Sequence, residues 1–192
     1  MDHLGGHEVL DRPISRRRLI GYGLGLLGSA MVPGVAMAGL RVVSKRARLL
    51  AFDNLHTGEK LKTVYFENGR YVPGALSEID YILRDFRSGD VKEIDPKLLD
   101  LLFSLKNKLG SSHPYEVISG YRSPQTNAML HANSEGVAVH SMHLEGKAID
   151  ICMQGRSLSL IHRAALRLQG GGVGYYPRSG FVHVDTGRVR YW

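Results

Sequence analysis

The chain has 192 residues, and 43% of them are hydrophobic, which is enough for one globular domain with a buried core and excludes wholesale disorder. Its formal net charge of +7 indicates an anionic partner, such as nucleic acid, an anionic lipid surface or an acidic polymer. Cys152 is the single cysteine, so an intrachain disulfide is excluded.

The first 38 residues have the three-part layout of an export signal. Three consecutive arginines, residues 16–18, precede a glycine-rich apolar run that ends in the small-residue cleavage pattern Ala36-Met37-Ala38. Arginines before a mildly hydrophobic run are typical of the twin-arginine route, which carries folded cargo. We therefore expect the twin-arginine translocase as a partner during export and the periplasm as the destination.

An uncleaved membrane anchor is the alternative for this segment. A membrane-spanning helix needs ~20 predominantly apolar residues, and this run is short and carries Pro33 and several glycines. We predict an export signal over residues 1–38 and one domain over residues 39–192. The signal holds four basic and three acidic residues, so the domain keeps a charge of +6.

The first half of the domain predicts an extended segment, a hairpin and two helices. Residues 39–60 are expected to be extended and partly strand-like. Residues 63–73 predict a hairpin, because the Asn-Gly pair at residues 68–69 is a strong turn signal. Apolar residues at helical spacing predict a helix over residues 76–86. A second helix is predicted over residues 96–109, with Asp95 as its N-cap and Gly110 at its end.

The second half predicts short strands interrupted by helices. Strands are expected over residues 115–119, 148–152, 173–176 and 181–185. Helices are expected over residues 125–132 and 157–168, the first opened by Pro124 and the second capped by Ser157. This order predicts an α+β fold, with a small antiparallel sheet flanked by helices.

Histidines and carboxylates are concentrated beside the C-terminal strands. His143 and Asp150 are separated by a tight loop that contains Gly146, so the chain can fold back and present both to one point. Strand alternation places His183 and Asp185 on the same face. Two imidazoles and a carboxylate form the ligand set of a catalytic zinc, which leaves a fourth position for water. Ordinary hydrogen-bonded polar groups are the alternative.

Four motifs, taken in this order along the chain, resemble the zinc D-Ala-D-Ala peptidase superfamily and, more closely, its murein endopeptidase K branch. They are Leu55-His56-Thr57-Gly58-Glu59, Ser119-Gly120-Tyr121-Arg122-Ser123-Pro124, residues 140–150 and Phe181-Val182-His183-Val184-Asp185. The resemblance extends from about Leu49 to Trp192. It implies a fold like that of hedgehog and D-Ala-D-Ala peptidase domains, Zn²⁺ as cofactor, and hydrolysis of peptides in peptidoglycan.

The resemblance also implies roles for individual residues. It implies His143, Asp150 and His183 as the zinc ligands. The residues that it implies for substrate binding are Arg122 and Ser141, with Tyr121, Gln125 and Asn127 as weaker candidates. A guanidinium suits a substrate carboxylate, whereas the alternative for all five is a structural role in turns, caps or packing.

The general base is the one role that the sequence leaves open. Many relatives place an acid three residues before the last ligand, where this chain has Gly180. In the His-Val-Asp sequence that follows, either His183 binds metal and Asp185 assists, or the two roles are exchanged; we prefer His183 as ligand because zinc favours imidazole. The candidates for the base are Asp185, His140 and Glu145.

Together these features predict an exported zinc metallopeptidase that hydrolyses peptide cross-links or stem peptides of peptidoglycan, most simply an endopeptidase. A non-catalytic peptidoglycan-binding protein with the same fold is one alternative. A D,D- or L,D-carboxypeptidase is another. A nucleic-acid-binding module fits poorly, because the chain carries an export signal and no nucleic-acid motif.

Overall fold

A mixed eight-stranded sheet and four α-helices make up the computed structural model, which describes residues 47–133 and 138–192. The helices are α1 Pro73–Ile82, α2 Pro96–Leu109, α3 Pro124–Asn133 and α4 Leu158–Leu166. The strands are β1 Arg48–Asn54, β2 Lys60–Glu67, β3 Arg70–Tyr71, β4 Tyr115–Ser119, β5 Ala148–Cys152, β6 Gly172–Tyr176, β7 Phe181–Asp185 and β8 Arg190–Tyr191. The predicted α+β class is confirmed.

The strands follow the order β3-β2-β1-β4-β5-β7-β6-β8 across the sheet. Neighbouring strands are antiparallel except for two parallel pairs, β1 with β4 and β6 with β8. The sheet is therefore larger than the small antiparallel sheet expected from the sequence. Strand β8 was not predicted, because two residues are too short to show a period and pair with β6 only through the tertiary fold.

Alternation along β5 and β7 separates the core from the functional residues. Ile149, Ile151, Val182 and Val184 are buried in the hydrophobic core together with the leucine stripe of α2 and residues of α4. The intervening side chains point to the other face of the sheet, where Asp150 and His183 are direct cross-strand partners. Burial of the four aliphatic residues thus fixes which way the two polar side chains point.

Helix α2 begins and ends at the residues that its sequence signals predict. The Asp95 carboxylate accepts a hydrogen bond from the Lys97 amide, and Gly110 adopts the left-handed conformation, with φ 56°, at the other end. Helix α3 runs one residue beyond its predicted range at each end, and α4 is shorter than its predicted range by three residues. These differences lie within the fraying of helix ends.

Helix α1 is displaced relative to its predicted range, since it begins at Pro73 and ends at Ile82 rather than at Phe86. Proline is favoured in a first turn. At the C-terminal end, the Ile82 carbonyl accepts from the Asn54 side chain at 2.9 Å, and the Leu83 carbonyl accepts from the Tyr121 amide at 2.8 Å. Distant groups bind these carbonyls, so the helix stops before the apolar pattern does.

The predicted hairpin is confirmed by β2 and β3, whose connecting residues Asn68 and Gly69 both have positive φ angles, 54° and 81°. The predicted export signal over residues 1–38 lies outside the described residues and stays a prediction. Within residues 47–133 and 138–192, no helix has the length and apolar character needed to cross a membrane.

Candidate metal centre

Three buried side chains from two strands and one turn meet on the face of the sheet opposite the core. Asp150 lies on β5 and His183 on β7, while His143 comes from the 3₁₀ turn Met142–Glu145 that precedes β5. His183 Nδ1 lies 2.8 Å from Asp150 Oδ1 and 3.2 Å from His143 Nε2. His143 Nε2 lies 3.3 Å from Asp150 Oδ1. The three atoms therefore form a nearly equilateral triangle.

The far nitrogen of each imidazole is held by an acceptor outside the triangle. His143 Nδ1 donates to the Gly120 carbonyl at 2.6 Å, and His183 Nε2 donates to Asp185 Oδ2 at 3.0 Å. A carbonyl accepts only, so the Nδ1 of neutral His143 carries the proton and its Nε2 presents a lone pair. Both nitrogens of His183 face a carboxylate, Asp185 Oδ2 outside the triangle and Asp150 Oδ1 within it, so Nδ1 presents a lone pair to the triangle when a metal cation replaces the proton between Nδ1 and Asp150. Three electron-pair donors thus converge on one point.

This donor set fits a divalent metal ion. Two ligand atoms of a tetrahedral zinc ion lie about 3.3 Å apart, which is close to each side of the triangle. Two imidazole nitrogens and one carboxylate oxygen also match the ligand types of catalytic zinc sites. The acceptors behind both imidazoles match the outer partners that metal-bound histidines have, and they favour the tautomers that such coordination needs. His143, Asp150 and His183 could therefore hold a metal ion.

Burial and charge shift the titration of all three groups. Burial lowers the pKa of His143. Burial would raise the pKa of Asp150, but the two neighbouring imidazoles outweigh it and hold the pKa well below its usual range. Burial would also lower the pKa of His183, yet its hydrogen bonds with Asp150 and Asp185 raise it. The carboxylates of Asp150 and Asp185 therefore favour a positive charge at His183, which can be a proton on the imidazole or a metal cation bound to it.

Arg122 is bound to the same carboxylate. Its Nη2 donates to Asp150 Oδ2 at 2.5 Å, and its Nε donates to the Ser119 hydroxyl at 2.9 Å. The second oxygen of Asp150 is thereby engaged, which leaves Oδ1 for the triangle. The Arg122 side chain is 13% exposed and lines the cavity above the triangle. This contact with Asp150 was not predicted from the sequence.

Asp185 lies behind His183 rather than beside the triangle. It is fully buried, and its oxygens accept from the amides of Gly172 and Gly187 and from the Arg190 guanidinium. Burial would raise the pKa of Asp185, but its bond with His183 and these other donors lower it. The imidazole of His183 stands between Asp185 and the triangle. The arrangement with Asp185 as ligand and His183 as assistant is therefore absent from this structure.

A cavity of about 330 Å³ opens above the triangle. Aromatic rings form one wall: Tyr176 stacks on Phe181 with ring centres 4.6 Å apart, and Trp192 Nε1 donates to the Tyr176 hydroxyl at 2.6 Å. The Trp192 ring lies 5.4 Å from that of His183. A Cβ at Gly174 would overlap both Trp192 and Tyr176, so glycine is required for the wall to pack this closely.

The structure separates the remaining predicted residues into two groups. His140 and Ser141 line the cavity, and the Ser141 hydroxyl also caps the 3₁₀ turn by accepting from the His143 amide. The other predicted residues do not line it. They are Tyr121, Gln125, Asn127 and Glu145. Asn127 instead donates to the carbonyls of residues 138 and 139, and Glu145 forms an exposed ion pair with Lys147 at 2.7 Å.

Support for His143 comes from residues that sequence reasoning did not assign to the site. Gly120, whose carbonyl binds His143, packs so closely on Leu83 that a Cβ would collide with the Leu83 carbonyl oxygen. Asp85 then accepts from the Ser123 amide at 2.9 Å. The end of α1 therefore positions the loop of residues 120–123. The only sequence signal was the Ser119–Pro124 motif itself.

A family model described as Peptidoglycan L,D-endopeptidase MepK (Peptidase_M15_2) matches residues 42–192. The chain belongs to this family of peptidases, which confirms both the predicted branch and the predicted enzyme class, a metallopeptidase of the peptidoglycan hydrolase type.

Individual proteins that are similar to the chain carry the same name as the family model. Peptidoglycan L,D-endopeptidase MepK of Escherichia coli (strain K12) is 46% identical over 178 residues, which cover 93% of this chain and 97% of that protein. The protein of the same name from Shigella flexneri has the same identity and coverage. The probable peptidoglycan L,D-endopeptidase MepK of Haemophilus influenzae is 40% identical over 179 residues, 93% of this chain and 95% of that protein. No solved structure matches the chain significantly.

Proposed function

We propose that the chain is an exported, zinc-dependent L,D-endopeptidase that hydrolyses peptide cross-links or stem peptides of peptidoglycan in the periplasm. The observation that carries this proposal is the convergence of His143 Nε2, His183 Nδ1 and Asp150 Oδ1, with an outer acceptor behind each imidazole. The family name and the names of the relatives support the substrate and the bond class.

In this proposal His143, Asp150 and His183 hold Zn²⁺. When bound, zinc polarises the scissile carbonyl and makes a water molecule acidic enough to attack near neutral pH. Asp185 and the Gly120 carbonyl keep the two imidazoles in the coordinating tautomer. Arg122 keeps Asp150 Oδ1 directed at the ion by binding Oδ2.

Arg122 and Ser141 bind the substrate in this proposal. Two nitrogens of the Arg122 guanidinium bind Asp150 and Ser119, and Arg122 lines the cavity, where its remaining nitrogen suits a peptide carboxylate or carbonyl. The Ser141 hydroxyl is at the rim of the same cavity. Tyr121 and Gln125 contribute to the loop and helix that carry Arg122 rather than to direct contact.

His140 is the general base that we favour. It lines the cavity and is exposed, whereas Asp185 is enclosed behind His183 and Glu145 is paired with Lys147. His140 would take a proton from the attacking water and return it to the leaving amine. This assignment gives the chain a base even though it has Gly180 where many relatives have an acid.

The remaining partners follow from charge and from the predicted signal. A net charge of +7 suits the free carboxylates of peptidoglycan stem peptides. Export by the twin-arginine translocase would deliver the chain to that polymer in the periplasm, and nucleic acid has no place in this proposal.

The test is mass spectrometry of muropeptides after incubation of purified peptidoglycan with zinc-loaded protein. The wild type is expected to release cleaved products, and His143→Ala and Asp150→Ala are expected to release none. Glu145→Gln is the matched control, since it removes an exposed carboxylate from the same turn as His143, and it should cut like the wild type. Identical products from all four proteins would refute the assignment.

A non-catalytic peptidoglycan-binding protein is the second candidate, and one observation favours it. Gly180 lies exposed in the turn between β6 and β7, at the position where many relatives carry an acid. Sedimentation with peptidoglycan and no product from the zinc-loaded wild type would select this alternative. The product masses also separate an endopeptidase from a carboxypeptidase, which releases a single terminal amino acid.

A further inference from the structure

A second groove, of about 660 Å³, lies beside β1, β2 and α2 and shares no lining residue with the metal cavity. Apolar side chains from all three elements line it, Leu49, Leu61 and Phe103 among them. Three lysines, Lys60, Lys62 and Lys106, line it as well. We call it the lysine groove.

Lys106 is the informative member of this set. Its residue surface is only 9% exposed, yet within residues 47–133 and 138–192 its ammonium has no hydrogen-bond or ion-pair partner. Burial, with a smaller effect of the Lys62 charge, lowers its pKa. Most of the Lys106 side chain is covered by its neighbours, while its ammonium reaches the solvent-filled groove. An unpaired ammonium held at the wall of a groove is available to bind an external anion.

The charges of the groove are not balanced from within. Asp53 is the one acidic residue that lines it, and Asp53 is already paired with Lys60 at 2.9 Å. Lys62 and Lys106 therefore retain uncompensated positive charge above an apolar floor. That combination suits a ligand with carboxylates and short apolar side chains, that is, an acidic peptide.

We propose that the lysine groove is a second binding site, remote from the metal centre, for an acidic peptide; that this peptide is a stem peptide of peptidoglycan rests on the proposed function. The ammonium groups of Lys62 and Lys106 bind its carboxylates, and Leu49, Leu61 and Phe103 contact its apolar groups. Binding at two sites on one polymer would raise the local concentration of substrate at the metal cavity.

The test is a titration of the ¹⁵N-labelled chain, in the His143→Ala background that prevents cleavage, with soluble stem peptide released from peptidoglycan. Amide shifts around residues 61–62 and 103–107 report the groove, and those around residues 122 and 183 report the cavity. The double variant Lys62→Gln/Lys106→Met should raise the dissociation constant of the peptide at the groove by about 100-fold, which is roughly tenfold for each charge-assisted contact. The dissociation constant of the cavity should not change.

Lys108→Gln is the matched control, because Lys108 is exposed on the same helix and does not line the groove. Lys106→Met should keep or raise the melting temperature, since methionine keeps the covered aliphatic stem at similar volume and removes an ammonium that has no partner among the described residues. Loss of binding then cannot be attributed to loss of fold.

Unshifted groove amides, or equal affinities for the double variant and Lys108→Gln, would overturn the proposal. Equally tight binding of inorganic phosphate would overturn the commitment to a peptide. Muropeptide cleavage by the wild type is scored separately. If the wild type cleaves muropeptides but the groove amides do not shift, only the proposed groove site is rejected. If the groove amides shift but no muropeptide is cleaved, the groove site is supported and the peptidase function is rejected.

Discussion

The hydrogen bond between Asp185 and His183 predicts a change in metal affinity that does not depend on any contact with the ion. Asp185→Asn removes the negative charge that holds His183 Nε2–H and pairs with Arg190. We expect zinc affinity to fall by about 10- to 100-fold, as is typical for outer partners of metal-bound histidines. Competition with a chromophoric chelator measures this. Glu145→Gln should bind zinc like the wild type, and equal affinity for Asp185→Asn would show that His183 needs no orientation.

His140 gives the second prediction at the level of single residues. His140→Gln is expected to lower kcat by about 10²- to 10⁴-fold, because it removes the proposed general base from the cavity wall. Zinc content, measured by atomic absorption, should stay at the wild-type level. His113→Gln is the control, since His113 is exposed and outside the cavity. A loss of zinc along with activity would make His140 a ligand, and an unchanged kcat would reject it as the base.

The contact between Asp85, which follows α1, and the loop before α3 predicts a pH-dependent stability. Burial would raise the pKa of Asp85, but hydrogen bonds from Thr126, Ser123 and Arg87 lower it from 3.8 to about 2. A carboxyl group whose pKa is lower in the folded state stabilises the fold at every pH above its ordinary, unfolded-state pKa. This stabilisation is lost as the pH falls through the folded-state pKa. The shift corresponds to about 2 kcal/mol.

Asp85→Asn should therefore unfold more easily in urea than the wild type at pH 7, by about 2 kcal/mol. The difference should shrink below about pH 4 and be largely lost by pH 2, where about half of the folded wild-type molecules carry a protonated Asp85. Urea midpoints of both proteins between pH 2 and pH 7 give the measurement. A difference that stays constant over this range would mean that the Asp85 charge contributes nothing.

Elements whose boundary signals are local could be predicted from the sequence, and those set by distant partners could not. Helix α2 carries its own N-cap and C-terminal glycine, and the prediction is right at both ends. Helix α1 ends early because Asn54 and Tyr121, far apart in sequence, bind its last carbonyls. The parallel pairings of β1 with β4 and of β6 with β8 leave no trace in the residue pattern.

The same distinction between local signals and distant contacts applies to the candidate site. The spacing of His143 and Asp150, with the alternation around His183, predicted that these three side chains lie together, as they do in the structure. The orientation of the His183 ring was not accessible, because it depends on Asp185, whose own position is set by two backbone amides and Arg190. The contact of Arg122 with Asp150 depends likewise on two residues that lie 28 positions apart in the sequence.

The whole molecule should become more stable when zinc is bound. A ligand at 100 times its dissociation constant stabilises the native state by about 2.7 kcal/mol, provided that the unfolded chain does not bind it. For a domain of this size that corresponds to a rise in melting temperature of roughly 5–10 °C. Calorimetry with chelator and with zinc measures the rise, and His143→Ala should lack it. An equal rise in that variant would place the ion elsewhere.

The pairing of β5 with β7 also has a consequence for the order in which folding and metal binding take place. Asp150 and His183 become neighbours only when those strands, separated by α4 and β6, have found their register, and His143 reaches them only from the turn ahead of β5. A nascent or partly folded chain has no such cluster to offer. On the proposed function, the ion would therefore bind after the sheet has assembled, and the pool of transition metals in the compartment where folding finishes would decide which ion binds first.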